Sequence, residues 1–298
     1  MLRGYAACMS RVPRFDPAKP IDLHTHSSAS DGTEEPAEVV RQASLAGVGT
    51  IALTDHDSTA GWRVASAAAV RHGVTLVPGV ELSTQIGRAS VHVLGYLVDP
   101  QNVALRVEMD AVRESRVTRA ERMVARIGAD YPLTWADVLA VAETGATVGR
   151  PHIADALVVN GVVPNRSAAF DSILHWRGGY YQPHHAPAPE RAIELVRAAG
   201  GVPVLAHPAT RGGAALLDDR FSELLAAGLL GLEIEHRENG EEGKRVLREL
   251  AARHDLIVTG SSDYHGSGKP NRLGEHTTAP AMLERIIESA SGSSPVYP

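Results

Sequence analysis

The stretch Ile21-Asp22-Leu23-His24-Thr25-His26-Ser27-Ser28-Ala29-Ser30-Asp31 is a short apolar strand running into two histidines one residue apart, with an aspartate five residues beyond the second. Alternate side chains of a strand share a face, so His24 and His26 point the same way and both imidazoles can reach one cation. An H-x-H pair is a weak motif, and two surface histidines beside a turn would read the same. Whether further ligand types stand at the same end of other strands separates the two readings.

They recur along the chain. Pro36–Gly47 has a helical pattern opened by Pro and closed by Gly. The apolar run Thr50–Thr54 reads as a buried strand ending in Asp55-His56-Asp57, after which Ser58 caps a helix through about His72. Val74–Val80 is a strand that ends at Glu81, and the strand Ser90–Val98 carries His92. Beyond an interruption, a helix near Glu190–Ala199 leads into Val202–Ala206 and His207-Pro208. Leu229–Ile234 and Leu256–Thr259 close the series, the latter running into Ser261-Ser262-Asp263-Tyr264-His265. About seven strands mostly separated by helices predict an α/β barrel, which gathers its active site at the carboxyl ends of its strands. His24, His26, Asp31, His56, Glu81, His92, His207, Asp263 and His265 are then candidate metal ligands. Any one of them fits a strand-end cap or a hydrogen-bonded histidine. Unrelated caps have no reason to be His or carboxylate at nearly every strand end.

Composition sets the limits. A chain of 298 residues, 44% hydrophobic and 21% charged, suits one large globular domain with an insertion. A net charge of −6 excludes a protein that coats nucleic acid nonspecifically, so an anionic ligand must be drawn by a local positive pocket. Cys8 is the single cysteine, which excludes an intrachain disulfide and a thiolate metal site and points to a reducing compartment such as the cytoplasm. No apolar run approaches membrane-spanning length. The expected organisation is a flexible leader over 1–20, a barrel built from 21–99 and 188–288, a helical insertion over 100–187 that caps the substrate, and a flexible tail over 289–298.

Asp-Leu-His-Thr-His at 22–26, Thr-Asp-His-Asp at 54–57, Gly-Val-Glu at 79–81, His-Val-Leu-Gly-Tyr at 92–96, Ala-His-Pro at 206–208 and Ser-Asp-Tyr-His at 262–265 together resemble the PHP (polymerase and histidinol phosphatase) family of metal-dependent phosphoesterases. The resemblance implies a distorted (β/α)7 barrel, the PHP fold, with three divalent ions at its carboxyl mouth. By similarity, His24 and His26 hold one ion with Glu81 and Asp263. Glu81 bridges to a second ion held by His92 and His207, and Asp31, His56 and His265 hold the third. His and carboxylate ligands without thiolate suit Mn²⁺, Fe²⁺ or Zn²⁺. Such ions make a bridging hydroxide available near neutral pH, and the expected mechanism is its in-line attack on phosphorus. A metal-bound water or protonated His207 would protonate the leaving oxygen. Asp55 either orients the His56 imidazole or forms a turn.

Substrate choice is expected in the insertion. Leu105–Ile127 reads as a helix with Arg113, Arg116, Arg119, Arg122 and Arg126 at mostly three- and four-residue spacing. A solvated face paired with Glu114 and Glu121 accounts for all of them but Arg116, which is taken as substrate-binding. Gly149-Arg150-Pro151-His152 stands at a helix start, where backbone N–H groups favour anions, or where Pro simply opens a helix. A similar element occurs in the insertion of PHP members that act on nucleotides, so Arg150 and His152 are expected to bind phosphate, with Arg211 and His236 as further candidates. Tyr180-Tyr181 and His184-His185 stack on a base or pack the insertion onto the barrel. The expected substrate is small and phosphorylated: a nucleoside 3′,5′-bisphosphate such as adenosine 3′,5′-bisphosphate, losing its 3′-phosphate to leave AMP, with short oligonucleotides trimmed from the 5′ end as well. The alternatives are a histidinol-phosphate phosphatase and a non-catalytic metal- or phosphate-binding protein. No obligate protein partner is expected.

Overall fold

Seven strands follow one another in chain order around a single sheet: β1 (Ile21–Thr25), β2 (Thr50–Leu53), β3 (Thr75–Ile86), β4 (Ala89–Tyr96), β5 (Val202–Ala206), β6 (Gly231–Glu235) and β7 (Ile257–Gly260). This computed structural model describes residues 15–87, 89–143, 146–183, 185–210 and 220–298. The His26 N–H donates to the Tyr264 carbonyl at 2.8 Å and Thr25 bridges to Tyr264, so the loop after β7 returns to the end of β1 and the barrel is nearly closed. Helices α1 (Pro36–Leu45), α2 (Trp62–His72), α7 (Pro189–Ala198), α8 (Phe221–Ala226) and α9 (Glu241–Arg253) flank it, with α10 (Pro280–Ser289) after β7. Between β4 and α7 lie α3 (Val103–Ile127), α4 (Trp135–Val141), α5 (Arg150–Val159) and α6 (Arg166–Asp171). The architecture is the distorted seven-stranded α/β barrel with a helical insertion. Strands β1 and β2 are buried at every position, as both faces of a barrel strand require.

The distortion is one reversed strand. All other neighbours run parallel, but β4 is antiparallel to both β3 and β5, with Ser83 opposite His92 and His92 opposite Ala206. His92 therefore does not end its strand as the other ligand candidates do. It sits in the amino half of β4, which starts at the mouth and runs down.

Because β4 ends at the foot of the barrel, the chain must climb back to reach the mouth, and α3 does this in one piece. At the foot, the Asp99 N–H donates to the Ala199 carbonyl at 2.8 Å and the Asn102 side chain caps the helix by accepting from the Leu105 N–H. Twenty-five residues of α-helix span about 37 Å at 1.5 Å per residue. Leu105 and Met109, near its start, join the apolar layer between barrel and flanking helices. Ala120, Met123, Val124 and Ile127, near its end, pack with Val138, Ile153, Leu157 and Leu174 in a separate cluster above the mouth.

The tail departs from expectation. Residues 290–298 are tied down: Val296 exchanges two backbone hydrogen bonds with Leu76, the Ser291 and Gly292 N–H groups donate to the Gly200 carbonyl, and Ser293 donates to Leu97. Gly292 is required there, since a Cβ would collide with the Ala199 carbonyl. Of the expected leader, residues 1–14 lie outside the described residues, whereas Phe15 is buried and the Pro20 carbonyl accepts from Gly49. No helix among the described residues is long and apolar enough to cross a membrane.

Five backbone hydrogen bonds anchor the tail. Deleting 290–298 is therefore expected to lower unfolding stability by about 2–5 kcal/mol, read from urea denaturation. An unchanged midpoint would mean that the tail contributes nothing.

Candidate metal centre

Glu81 stands at the middle of the mouth, 1% exposed, with its two oxygens facing different imidazoles. Its Oε2 lies 3.2 Å from His24 Nε2, 3.0 Å from His26 Nε2 and 3.3 Å from His56 Nδ1. Its Oε1 lies 2.7 Å from His92 Nδ1 and 3.4 Å from His207 Nε2. Asp263 Oδ1 approaches His24, His26 and His265 at 3.4, 3.3 and 3.4 Å. Asp31 faces His265 at 3.2 Å, His26 at 3.6 Å and His56 at 3.8 Å. All nine ligand candidates thus converge on one place. They form overlapping groups that could hold cations: His24, His26, Glu81 and Asp263; His26, Asp31, His56 and His265; and His56, Glu81 and His92, with His207 beside the last.

The donor set fits divalent metal. Asp31 Oδ1, His56 Nδ1 and His265 Nε2 are buried and face charged neighbours at 3.2–3.3 Å without making a well-aligned hydrogen bond, a costly arrangement for polar atoms unless something else joins them. Three carboxylates share the site with six imidazoles, so cations are needed to compensate the buried negative charge. Protons partly serve that role in the protein alone. Burial opposes charge on His24, yet Glu81, Glu233 and Asp263 outweigh it and hold its pKa well above the ordinary imidazole value. His26 is lifted to about 9 in the same way, through Asp263 and Glu81. Burial would raise Asp31 and Glu81, but the surrounding imidazoles hold both well below the usual carboxylate range.

Three ligand-bearing turns are strained. Asp57, His207 and Asp263 have φ of 50°, 32° and 54°, a region that costs a non-glycine residue about 1–3 kcal/mol. Buried bonds hold these conformations. The His207 N–H donates to Glu233 Oε2 at 2.8 Å, and Asp57 accepts from the Ser83 N–H at 2.8 Å and from the Ser83 hydroxyl at 2.6 Å.

Glu233, on β6, is a functional residue that the strand-end pattern missed. Fully buried, it lies 3.0 Å from His24 Nδ1 and also accepts from the Ser261 hydroxyl. A carboxylate on Nδ1 leaves His24 Nε2 to face the other ligands. The signal was present as a Glu flanked by Leu232 and Ile234 inside the strand, two residues before its end. Burial would raise Glu233, but His24 and His236 bring it down to about 2.

Asp55 does something other than orient His56. Its carboxylate is occupied by the Ser27 N–H at 2.8 Å and by the Ser27 and Ser30 hydroxyls at 2.7 and 2.6 Å, so it braces the turn that follows β1. It reaches an imidazole only through Ser30, whose hydroxyl is 3.4 Å from His26 Nδ1.

Beside the centre, α3 carries a buried basic patch. Its inward stripe reads Leu105, Met109, Val112, Arg116, Arg119, Met123 and Ile127, so two arginines interrupt an apolar face at the level of the mouth. Arg116 donates to the Ser83 hydroxyl and lies 3.3 Å from Asp57 Oδ2. Arg119 is equally buried, contrary to a solvated stripe, and burial together with the charges of Arg116 and Arg150 pushes its pKa down to about 9. Arg150, at the start of α5, stands over the rings of Phe170 and Tyr181 at 5.4 and 5.9 Å. His152 is close by but spent as a cap, its Nδ1 accepting from the Gly149 N–H at 3.1 Å. His236 sits apart from the arginines, 3.8 Å from Asp263 Oδ2 and with its ring tilted against that of His207, centroids 5.0 Å apart. Arg211 and His184 lie outside the described residues.

Residues 22–131 match the PHP domain. The chain is 34% identical to a 3′,5′-nucleoside bisphosphate phosphatase of Chromobacterium violaceum, over 86% of this chain and 91% of that protein. The chain belongs to the PHP family. It is therefore a metal-dependent hydrolase acting on phosphoric esters. A second relative is the 5′-3′ exoribonuclease Rnm of Salmonella typhimurium, 32% identical over 90% of this chain and 92% of that one. The fold matches a crystal structure from Bifidobacterium adolescentis, described as a metal-dependent phosphoesterase, with a TM-score of 0.89 and 42% identity over 92% of this chain and 98% of that one.

Two outcomes are expected. Glu233→Gln should lower Mn²⁺ affinity about 10–100-fold without unfolding the protein, measured by calorimetric titration. Because metal must displace the proton that gives His26 a pKa of about 9, affinity should rise as pH climbs from 6.5 towards 9. A flat profile would contradict the assignment of His26 as a ligand.

Proposed function

We propose that the centre holds three divalent ions, Mn²⁺, Fe²⁺ or Zn²⁺, and that the protein removes the 3′-phosphate from nucleoside 3′,5′-bisphosphates. His24, His26, Glu81 and Asp263 would hold one ion, Glu81, His92 and His207 the second, and Asp31, His56 and His265 the third. Ions bound there supply positive charge to the phosphoryl oxygens and acidify a coordinated water.

The observation that carries the substrate reading is the buried arginine patch. Arg116, Arg119 and Arg150 lie close enough beside the metal centre for their charges to act on one another, with Asp57 against Arg116. Burying like charges together is unfavourable, and a phosphate dianion relieves it. The site then offers two anion-binding places: metals for the phosphate that is cleaved and arginines for one that is retained. A nucleoside 3′,5′-bisphosphate has both. Asp57 and Ser83 fix Arg116, while Arg150 rests against Phe170 and Tyr181, so the second place is built before substrate arrives. Histidinol phosphate, with a single phosphate, would leave the arginines without an anion. The similarity to a bisphosphate phosphatase supports the same choice.

Phosphate release from adenosine 3′,5′-bisphosphate, 3′-AMP, 5′-AMP and histidinol phosphate, compared on Mn²⁺-loaded protein, should favour the bisphosphate and leave 5′-AMP. Arg150→Ala should raise KM for the bisphosphate about 10–100-fold and leave turnover of p-nitrophenyl phosphate unchanged, since a charged hydrogen bond contributes about 1.5–3 kcal/mol. An unchanged KM would sink the two-anion reading.

A further inference from the structure

Asp263 turns its two oxygens to different neighbours. Oδ1 faces the imidazoles of His24, His26 and His265, whereas Oδ2 lies 2.6 Å from the Lys269 ammonium and 3.8 Å from His236 Nε2. Lys269 stands in the same loop after β7, six residues beyond Asp263. A cation of the protein itself thus sits on the outer oxygen of a buried candidate ligand. Its charge is also felt beyond that pair. Burial would raise Asp263, but Lys269, His265 and His24 hold its pKa well below the usual carboxylate range. Burial, and after it the Lys269 charge, hold His265 below the ordinary imidazole value. His265 belongs to the group around Asp31 and Asp263 to the group around Glu81, so the ammonium acts on two of the groups that could hold cations.

Resting on the reading that the centre holds divalent ions, we infer that Lys269 is a positioning residue for Asp263: it holds Oδ2 outward and, by sharing the charge of this ligand, lowers the affinity of the centre for those ions. Two effects of the ammonium oppose each other. By fixing the carboxylate it favours metal binding, and by its like charge it opposes it. The first effect is small, because other bonds hold Asp263. Its backbone, with φ of 54°, is braced by the Asn271 side-chain amide, which donates to the Ser262 carbonyl at 2.6 Å and to the Asp263 carbonyl at 3.3 Å. His236 can take over Oδ2. Its Nδ1 accepts from the Glu238 N–H at 3.1 Å, so Nε2 carries the proton, and that buried N–H makes no close hydrogen bond. The second effect is large. Charges set among buried groups are screened little by salt, so a dication drawn to Asp263 is repelled by the ammonium already there. Repulsion therefore outweighs orientation, and removing the charge tightens metal binding.

The test titrates metal-free protein with Mn²⁺ and compares wild type with Lys269→Gln, Lys269→Met, Lys269→Arg and Arg272→Gln. The Lys269 side chain is 36% exposed and lines a groove of about 460 Å³, so its replacements fit without disturbing the core. Lys269→Gln and Lys269→Met should each tighten Mn²⁺ binding at least about tenfold, and Lys269→Arg should stay within about threefold of wild type. Arg272, in the same loop, is 85% exposed and 3.9 Å from Glu275. Its replacement by Gln removes the same unit charge from a solvated place and should change the affinity by no more than about twofold. The inference is overturned if loss of the Lys269 charge leaves the affinity unchanged or weakens it, if Lys269→Arg behaves like Lys269→Gln, or if Arg272→Gln tightens binding as much. Wild type that takes up no Mn²⁺ would overturn the metal reading as well, whereas normal uptake by wild type with unchanged Lys269 variants overturns this inference alone.

Discussion

The constraint on which the rest depends is the burial of Glu81 between two sets of imidazoles, with Asp31 and Asp263 close by. Carboxylates taken out of water are stable only when positive charge is brought to them, and six histidines can provide it in two ways: by taking protons or by sharing cations. The raised pKa of His24 and His26 and the poorly hydrogen-bonded buried atoms of Asp31, His56 and His265 express the same demand. Glu233 behind His24 and the strained turns at Asp57, His207 and Asp263 hold the ligands where several carboxylates and imidazoles meet. The fold supplies the stability that such an arrangement consumes.

The reversed strand determines how the helical insertion is attached to that centre. In a barrel of uniformly parallel strands each connection returns to the foot through an external helix. Here β4 descends, and the chain has to climb beside the barrel. A single long helix does so, packing on the barrel at one end and on the insertion at the other. Where it passes the mouth its inward stripe changes from apolar side chains to Arg116 and Arg119. Contacts from the insertion to the ligand loops follow from this placement: Arg113 donates to the Asp57 carbonyl, Thr147 to that of His56 and Arg166 to that of Asp31. The insertion and the loops that carry the candidate ligands are thereby joined by hydrogen bonds.

The nine ligand candidates and the order of the seven strands were legible in the sequence because ligand types stand out against apolar strand residues, and strands alternate with helices. The position of His92 was legible, but its reason was not: nothing local to Ser90–Val98 distinguishes a descending strand from an ascending one. Arg119 was taken for a solvated residue because helical spacing groups arginines without telling which face is covered. Its place in register with Leu105, Met109, Val112 and Met123 was the available signal. Asp55 precedes His56 and reads equally as its orienting partner or as a turn-former, and its bonds go to Ser27 and Ser30 in the turn after β1. The tail reads as frayed by composition, yet its backbone pairs with Leu76 and Gly200.

By itself the sequence determined the barrel and a set of metal-binding side chains at its strand ends, since both rest on residue types read locally along the chain. Which carboxylate faces which imidazole, the buried patch of Arg116, Arg119 and Arg150, and the buttressing by Glu233 and Asp57 were decided only by the tertiary structure. Those features join residues from separate elements, and their energies depend on burial, which no local spacing specifies.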